Sequence, residues 1–289
     1  MLKKRIVACL IIKNGIVVQS IGFEKYLPVG RADIALEALN MWGIDEIVLL
    51  DIDATREKRV IDLEWISKIT GKILTPLTIG GGIKTIEDMR RLIHFGADKV
   101  SLNKTAIENP DFIAKASKVF GQQCVVVSMD VKKVNGKYEV FSDSGKTYTG
   151  YIAEEYAKVV EGLGAGEIFL NSIDCDGAKN GFDIDLINKI SQSVSIPVIA
   201  CGGAGCPGHF LEVAEKTNAS AIAAGNFFHF TEHSPIVVKS YLDERDVELR
   251  LDSYANYRNC QYDQDGRIAK RDDKYLYKLR FELIKDEVV

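Results

Sequence analysis

Asp130 is the residue of this chain best placed to move a proton. It closes an apolar run, Cys124-Val-Val-Val-Ser-Met-Asp130, and a carboxylate at the end of a buried strand can act as a general acid or base. The alternative is a helix cap or a loop hydrogen-bond acceptor. A run of the same shape opens the chain at Arg5-Ile-Val-Ala-Cys-Leu-Ile11, and Ile11 stands where Asp130 stands. Because isoleucine cannot transfer a proton, the two runs differ in their chemistry.

Two glycine-rich segments have the composition of phosphate-binding loops. Gly80-Gly81-Gly82 and Gly202-Gly203-Ala204-Gly205 each follow a strand-like run and precede a helix-like one. Glycine lets backbone N–H groups approach an anion, and a helix N-terminus attracts negative charge. The alternative is tight turning between strand and helix. Two such loops predict two phosphate sites on opposite sides of one mouth, and a substrate with a phosphate at each end would span them. Asp176-Gly177 and Ala224-Gly225, which follow neighbouring strands, favour this interpretation over the turn alternative.

Four charged residues, Arg5, Glu46, Lys99 and Glu167, fall at the beginnings of strand-like runs. Alternation along the strands would point them into the lower end of a barrel. Four charges of alternating sign are costly there unless they are paired. We therefore expect a ring of ion pairs across the barrel floor, the alternative being exposed charge at strand starts.

The chain is duplicated internally. Beyond the two apolar runs, three segments recur at an offset of about 120 residues, far longer than a solenoid repeat. The pairs are Leu50-Asp51-Ile52-Asp53 with Ile173-Asp174-Cys175-Asp176, residues 75–83 with 196–204, and, more weakly, 96–100 with 218–222. This pattern indicates two fused half-folds.

Short β-branched runs alternate with amphipathic segments, as in βα units around a parallel sheet. Expected strands cover residues 5–11, 46–51, 76–79, 98–102, 124–130, 166–171, 197–200 and 220–224, and helical segments include 32–42, 86–95, 111–120, 152–163 and 185–193. Thr85, Asp111 and Asp185 occupy expected N-cap positions. Eight strands in two equivalent halves predict an α/β fold of the (βα)8 TIM-barrel type. A doubly wound open sheet gives no reason for the internal symmetry.

The barrel is expected to span residues 1–242, with half-barrels at about 1–120 and 121–242. Residues 243–289 belong to neither copy and form a C-terminal extension. Within it, Asp265-Gly266 predicts a hairpin turn, and residues 275–284 alternate at strand period. We interpret the extension as packing on its own barrel, with partner docking as the alternative.

Bulk properties narrow the function classes. The 289 residues are 46% hydrophobic and 27% charged, an ordinary globular balance, and the net charge of −4 disfavours a nucleic-acid partner. Residues 1–12 superficially resemble a signal peptide, but the apolar stretch is short and lacks a small-residue cleavage site, which favours a buried first strand. No segment approaches the roughly 20 apolar residues of a membrane span. We expect a cytoplasmic protein without membrane insertion.

Cofactor and metal sites are not indicated. Gly203-Ala-Gly-Cys-Pro-Gly208 matches a dinucleotide-binding pattern, but the acidic residue expected about 20 residues further on is missing, and no P-loop segment occurs. The six cysteines show neither a CxxC pair nor zinc-finger spacing to histidine. His229 and His233 are interpreted as loop or surface histidines. We expect no cofactor, no metal and no disulfide bond.

Residues 1–242 resemble the cyclase subunit of imidazole glycerol phosphate synthase. The matching motifs are Lys4-Arg5-Ile6, Leu50-Asp51-Ile52, Leu77-Thr78-Ile79-Gly-Gly-Gly-Ile83, Gly96-Ala-Asp-Lys-Val100, Gly164-Ala-Gly-Glu167, and residues 174–177 and 200–205. That family receives ammonia from a glutaminase, a class I amidotransferase subunit docked on the barrel floor, and uses it at the mouth.

The resemblance implies a role for each matching position. Arg5, Glu46, Lys99 and Glu167 would form the ammonia gate, Thr78 would line the passage, and Asp98 would lie near the glutaminase interface. Phosphate contacts would come from Gly82, Asn103, Gly177, Gly203, Ala224 and Gly225, with Asp51, Asn171 and Asp176 around the substrate.

The mouth departs from the family pattern. The family uses two aspartates as acid and base, and this chain has Asp130 but Ile11 in place of the other. Further departures are Gln19, Gly22, Lys104 and Gly225. This asymmetry resembles the glycosyl amidation-associated cyclase homologues of bacterial surface-polysaccharide pathways, which work with a glutaminase-like subunit and a separate sugar amidotransferase.

Three functions follow as hypotheses. The first is an ammonia-conducting barrel of a glutamine-dependent amidotransferase system, with a phosphorylated or nucleotide-linked small molecule at the mouth and the sugar amidated by another protein. The second is an authentic cyclase subunit of histidine biosynthesis whose proton transfer runs through Asp130 or Asp176. The third is a non-catalytic scaffold for the glutaminase.

Overall fold

Eight parallel strands close into a barrel in the computed structural model, which describes residues 3–71, 73–229, 233–251, 255 and 257–269. The strands are β1 Arg5–Lys13, β2 Ile16–Ile21, β3 Lys25–Gly30, β4 Glu46–Asp51, β5 Leu77–Gly80, β6 Lys99–Leu102, β7 Val125–Val134, β8 Lys137–Ser142, β9 Thr147–Ile152, β10 Glu167–Ser172, β11 Val198–Cys201 and β12 Ala221–Ala224. The barrel runs β1-β4-β5-β6-β7-β10-β11-β12 and closes when β12 pairs with β1. The predicted (βα)8 barrel is confirmed.

Helices cover the outside of the barrel. They are α1 Ala32–Met41, α2 Leu63–Thr70, α3 Ile86–His94, α4 Lys104–Glu108, α5 Asp111–Phe120, α6 Ala153–Gly162, α7 Ile184–Ser193, α8 Pro207–Lys216 and α9 Ser234–Asp243. Inward residues such as Val7, Val126 and Phe169 form one buried cluster, whereas Ile6 and Ile47 face the helices in the other. This division explains why the strands are apolar on both faces.

The helix N-caps differ in part from the prediction. Thr85 caps α3 in a reciprocal capping box with Asp88, as expected. The predicted caps Asp111 and Asp185 are wrong, because both lie inside the first turn of their helices. Asp183 caps α7 instead, its side chain accepting the Leu186 N–H. Acidic residues suit both positions, since a carboxylate in the first turn also favours the helix dipole.

Each half of the barrel carries a β-hairpin that the strand prediction missed. The first hairpin, Ile16 to Gly30, follows β1 as β2 and β3, and the second hairpin, Lys137 to Ile152, follows β7 as β8 and β9. Both leave their barrel strand through an Asn-Gly turn, Asn14-Gly15 and Asn135-Gly136, with positive φ at all four residues. That conformation is the type I′ turn that Asn-Gly favours. The two halves therefore share one order of elements.

The described part of the extension packs on the barrel. Tyr262 and Ile268 form an antiparallel bridge around the predicted turn at Asp265-Gly266. The Asp265 carbonyl accepts the Gly208 N–H at the start of α8. Residues 275–284 lie outside the described residues. No helix in the described part combines the length and apolarity that crossing a bilayer requires.

Candidate active site

A ring of ion pairs crosses the barrel floor. Arg5 contacts the carboxylates of Glu46, at 2.5 Å, and Glu167. Lys99 Nζ lies 2.9 Å from Glu46 and 2.8 Å from Glu167. The two glutamate side chains are 3% and 7% exposed, so each buried anion has two cations beside it. Mutual pairing is what makes four charges tolerable at this position.

The ring of ion pairs also raises the pKa of Arg5 and binds the side chain of Thr78. Burial lowers the pKa of Arg5, but the charges and hydrogen bonds of Glu167 and Glu46 outweigh burial and raise it above its ordinary value. Thr78, fully buried, donates its hydroxyl to Glu46 at 2.9 Å. Asp98 is exposed at the floor, where its carboxylate accepts the Leu77 N–H at 2.8 Å.

The barrel interior connects this floor to the mouth. Valine, isoleucine, alanine and cysteine side chains and Phe169 form its apolar wall. The buried hydroxyl side chains of Ser101 and Ser128 follow Thr78 along adjacent strands. Strand alternation places Ser101 two residues above Lys99 and Ser128 two residues below Asp130, on the inward face. One side of the interior is therefore polar and the other apolar.

Asp130 lies at the mouth end of the inward face of β7. The Asn103 side chain donates to its carboxylate at 3.2 Å and to the Ser128 carbonyl at 3.0 Å. Burial first and the charge of Asp176 second raise the pKa of Asp130 to about 7, although the Asn103 hydrogen bond opposes the rise. A carboxyl group that titrates near neutral pH can both give and take a proton.

Ile11 takes the equivalent place in the first half. It pairs with Leu50 of β4 and Val18 of β2, and it packs against the inward cluster. Its side chain also lines a cavity at the mouth together with Asp176. The apolar residue is therefore directed toward the site, and Asp176 supplies a carboxylate on the same cavity.

Asp176 is bound by the first hairpin. Its carboxylate accepts the Ser20 hydroxyl at 2.6 Å and the Phe23 N–H at 3.2 Å, and its carbonyl accepts the Gly22 N–H at 2.9 Å. Burial raises the pKa of Asp176, and the hydrogen bonds from Ser20 and the Phe23 and Gly22 N–H groups partly counter it. Asp176 and Asp130 are thus two carboxylates with raised pKa values, and the charge of Asp176 contributes to the rise at Asp130.

The mouth cavity has a volume of about 40 Å³, room for a molecule of the size of water or ammonia. It brings together most of the second-half residues expected at the site, namely Asn171, Asp176, Gly177, Gly203, Ala224 and Gly225. Gly82, Asn103, Asp51 and Asp130 lie outside its lining. Within the described chain, the buried Asn171 Oδ1 accepts no hydrogen bond and is available to a ligand.

The family described as "Histidine biosynthesis protein" matches residues 5–234. The chain belongs to this family.

Named relatives in the histidine biosynthesis family cover most of the chain. "Imidazole glycerol phosphate synthase subunit HisF" of Clostridium botulinum strain Langeland is 47% identical over 253 residues, 87% of this chain and 100% of the relative. The protein of the same name from Natranaerobius thermophilus is 45% identical over 251 residues, again 87% and 100%. "Putative imidazole glycerol phosphate synthase subunit hisF2" of Vibrio vulnificus is 40% identical over 267 residues, 92% and 98%. The family expected from the sequence is confirmed, and the glycosyl amidation branch stays a prediction.

In this member of the histidine biosynthesis family, the glycine loops also have a packing role. A Cβ on Gly82 would lie 1.8 Å from the Arg59 carbonyl oxygen, and one on Gly203 would lie 1.9 Å from that of Gly181. The two contacts are equivalent in the two half-barrels. The preceding βα loop therefore covers each glycine so closely that any side chain is excluded.

Two predicted mouth residues have their side chains engaged by neighbouring loops. Asp51 accepts the backbone N–H groups of Asp53 and Ala54 and pairs with Arg59 at 2.6 Å. Lys104, one of the departures from the family pattern, pairs with Asp143 of the second hairpin at 2.8 Å. Both arrangements order the loops around the mouth.

Sequence reasoning missed several residues of the mouth. Ser20, Phe23, Asn226 and His229 all line the cavity. His229 lies in a loop, one of the two alternatives expected for it, and is half-buried there, where burial lowers its pKa to about 4. Ser20 and Phe23 were missed because the first hairpin was missed. The Asn-Gly turn was the signal that could have found it.

Metal ligation has little support in the described ranges. Their His, Cys, Asp and Glu side chains nowhere gather in groups of three that could hold an ion. The chemistry of the mouth is instead that of two carboxylates, an amide and backbone N–H groups.

Proposed function

We propose that this chain is the cyclase subunit of a glutamine-dependent imidazole glycerol phosphate synthase. It receives ammonia from a glutaminase at the floor and uses it on a phosphorylated acceptor at the mouth. The observation that carries the proposal is Asp130, with a pKa of about 7, at the opposite end of the barrel from the paired charges of Arg5, Glu46, Lys99 and Glu167. The names of the relatives favour this hypothesis over the conduit hypothesis that Ile11 suggested.

Asp130 carries out the proton transfers in this proposal, and Asp176 supports it electrostatically. Ammonia that adds to the acceptor carries a surplus proton, which the Asp130 carboxylate takes up. Asp130 then returns a proton to the atom that leaves as the ring closes and the acceptor is cleaved. The Asp176 carboxylate, hydrogen-bonded to the first hairpin, stabilises positive charge that develops beside it. Ile11 contributes an apolar wall that excludes water.

Backbone N–H groups hold the anionic ends of the acceptor. Gly203 lies in the loop three residues before Cys206, the N-cap of α8, and Gly225 directly precedes the 3₁₀ helix at Asn226–Phe228. The N-terminal end of a helix favours a bound anion. Asn171 Oδ1, buried and without a partner among the described residues, is an acceptor for an N–H or O–H of the substrate. These groups orient the acceptor toward Asp130.

A second candidate is an ammonia conduit whose nitrogen is used by a separate sugar amidotransferase in a surface-polysaccharide pathway. The observation that favours it is Ile11, which faces the mouth where the family pattern has an acid or base. In this case the barrel needs the floor ring and the interior but no proton transfer at Asp130.

The test supplies the purified chain with ammonium salt and the phosphorylated acceptor of imidazole glycerol phosphate synthase, and measures the imidazole product. The cyclase proposal expects turnover that falls roughly 10²–10⁴-fold in Asp130→Asn. Asp98→Asn is the matched control, since it replaces an exposed floor carboxylate and should leave ammonium-driven turnover unchanged. Absence of product from the unmodified chain would overturn the cyclase proposal.

The conduit candidate is then decided with a glutaminase partner. Arg5→Ala should lower the fraction of glutamine-derived nitrogen that reaches the acceptor while partner binding persists. Unchanged nitrogen transfer in this variant would instead support a scaffold.

A further inference from the structure

We propose that Ser20 and Asn226 are positioning residues that hold the first hairpin on the mouth and fix Asp176 as the second carboxylate beside Asp130. The inference rests on the proposed function, because it assumes that Asp176 provides the second carboxylate that the family pattern has at the position of Ile11. Neither residue matches a motif that the family resemblance supplied.

Asn226 binds both backbone groups of Ser20. Its Oδ1 accepts the Ser20 N–H at 3.2 Å, and its Nδ2 donates to the Ser20 carbonyl at 2.7 Å. The pairing of β2 with β1 ends at Val18, so the inner edge of β2 leaves the barrel at that point. The Asn226 amide presents the same donor and acceptor pair that a neighbouring strand would present. It therefore continues the sheet edge and joins the first hairpin to the loop after β12.

Ser20, held by Asn226, in turn hydrogen-bonds the carboxylate of Asp176. Its hydroxyl donates to Asp176 Oδ2 at 2.6 Å, and the Phe23 N–H reaches the same oxygen at 3.2 Å. Ser20 is 5% exposed, so water has little access to replace the hydroxyl. Two donors on one oxygen fix the orientation of the carboxylate and favour its ionised form.

The position of the first hairpin is also fixed by close contact with Gly177. A Cβ on Gly177 would lie 2.6 Å from the Ser20 carbonyl oxygen and 2.9 Å from Ile21 Cα. The hairpin backbone thus rests directly on Gly177, next to Asp176. Displacement of the hairpin by even a fraction of this distance would move both donors away from Asp176.

The two carboxylates consequently differ in role. The donors from the hairpin counter the rise that burial causes in the pKa of Asp176. The remaining negative charge on Asp176 helps to raise the pKa of Asp130 to about 7. Loss of the Ser20 hydroxyl should raise the pKa of Asp176 further. An Asp176 that is more readily protonated raises the pKa of Asp130 less, so the pKa of Asp130 should fall.

The experiment uses the full chain and the variants Ser20→Ala, Asn226→Ala and Ser142→Ala. Ser142 is the matched control because it is a serine of the second hairpin, near the end of β8, and is about as buried as Ser20. Carbon-13 NMR titration follows the Asp130 carboxyl, and hydrogen exchange follows the amides of residues 16–30. We expect a lower Asp130 midpoint in Ser20→Ala, roughly 10-fold faster hairpin exchange in Asn226→Ala, and neither change in Ser142→Ala.

Unaltered Asp130 titration in Ser20→Ala together with unaltered exchange in Asn226→Ala would overturn the inference. Both readouts work without turnover, so they decide the inference even if the unmodified chain forms no product. Where product does form, the acidic limb of the pH–rate profile should shift in Ser20→Ala in the same direction as the Asp130 midpoint.

Discussion

Replacing Asp130 with asparagine should stabilise the folded protein at alkaline pH. The substitution keeps the shape of the side chain and an oxygen that can accept the Asn103 hydrogen bond. It removes a carboxyl group that burial and the charge of Asp176 make difficult to ionise. We therefore expect a functional residue to cost stability, as is common at active sites.

The magnitude follows from the pKa of Asp130, which rises from 3.8 to about 7 on folding. A raised pKa means that the folded state holds the proton more tightly than the unfolded state. The stability associated with the protonated form is complete below about pH 4 and is lost as pH rises toward 7. Each pKa unit corresponds to about 1.4 kcal/mol, so Asp130→Asn should gain up to about 4 kcal/mol over wild type above pH 7.

Urea unfolding of both proteins across this pH range measures the gain. The difference in unfolding free energy should be small near pH 4, rise steadily, and become constant above about pH 7. Asp246→Asn, at an exposed carboxylate, corrects for the loss of one negative charge. A difference between Asp130→Asn and wild type that stays flat from pH 4 to pH 8 would refute the reasoning.

Two further predictions concern packing and the floor. Gly203→Ala should lower the unfolding free energy by more than about 2 kcal/mol, because the new Cβ would lie 1.9 Å from the Gly181 carbonyl oxygen. The control Gly162→Ala, in open space on α6, should be neutral or stabilising by up to about 1 kcal/mol. Thermal unfolding compares the two variants, and equal midpoints would contradict the packing argument. Arg5→Ala should cost about 2 kcal/mol, below the ~3–5 kcal/mol typical of a broken buried pair, because Lys99 still contacts both Glu46 and Glu167. Unchanged urea unfolding of the Arg5 variant would show that the ring contributes little to stability.

Much of the fold could be predicted from the sequence, because the residue patterns that specify its strands are local. Two of the eight predicted barrel strands begin at the observed residue and the other six begin one residue too early, since apolar runs bounded by glycine and acidic residues define parallel strands. The hairpins were missed because the runs at β1 and β7 were ended at Ile11 and Asp130. Both strands continue past those residues to an Asn-Gly turn. The positions of Ile11 and Asp130, chosen for their possible chemistry, were wrongly taken as the last residues of their strands.

The N-cap errors have a different cause. Asp111 and Asp185 are acidic residues of a first turn, where the helix dipole favours them as much as a cap position would. A sequence shows that a carboxylate lies near the helix start. Which backbone N–H it accepts depends on the path of the preceding loop.

The sequence by itself determined the barrel, its duplication, the charged floor and the loss of an acid at Ile11, because each depends on residue type and spacing along one chain. Only the tertiary structure decided that Asp176 lines the mouth cavity together with Ile11, and that Asp176 is hydrogen-bonded to Ser20 and Ser20 to Asn226. Ser20 and Asn226 are 206 residues apart, and Ser20 and Asp176 are 156 residues apart. Their hydrogen bonds exist only because barrel closure brings β12 and β10 to the mouth beside the first hairpin, a proximity that no local pattern records.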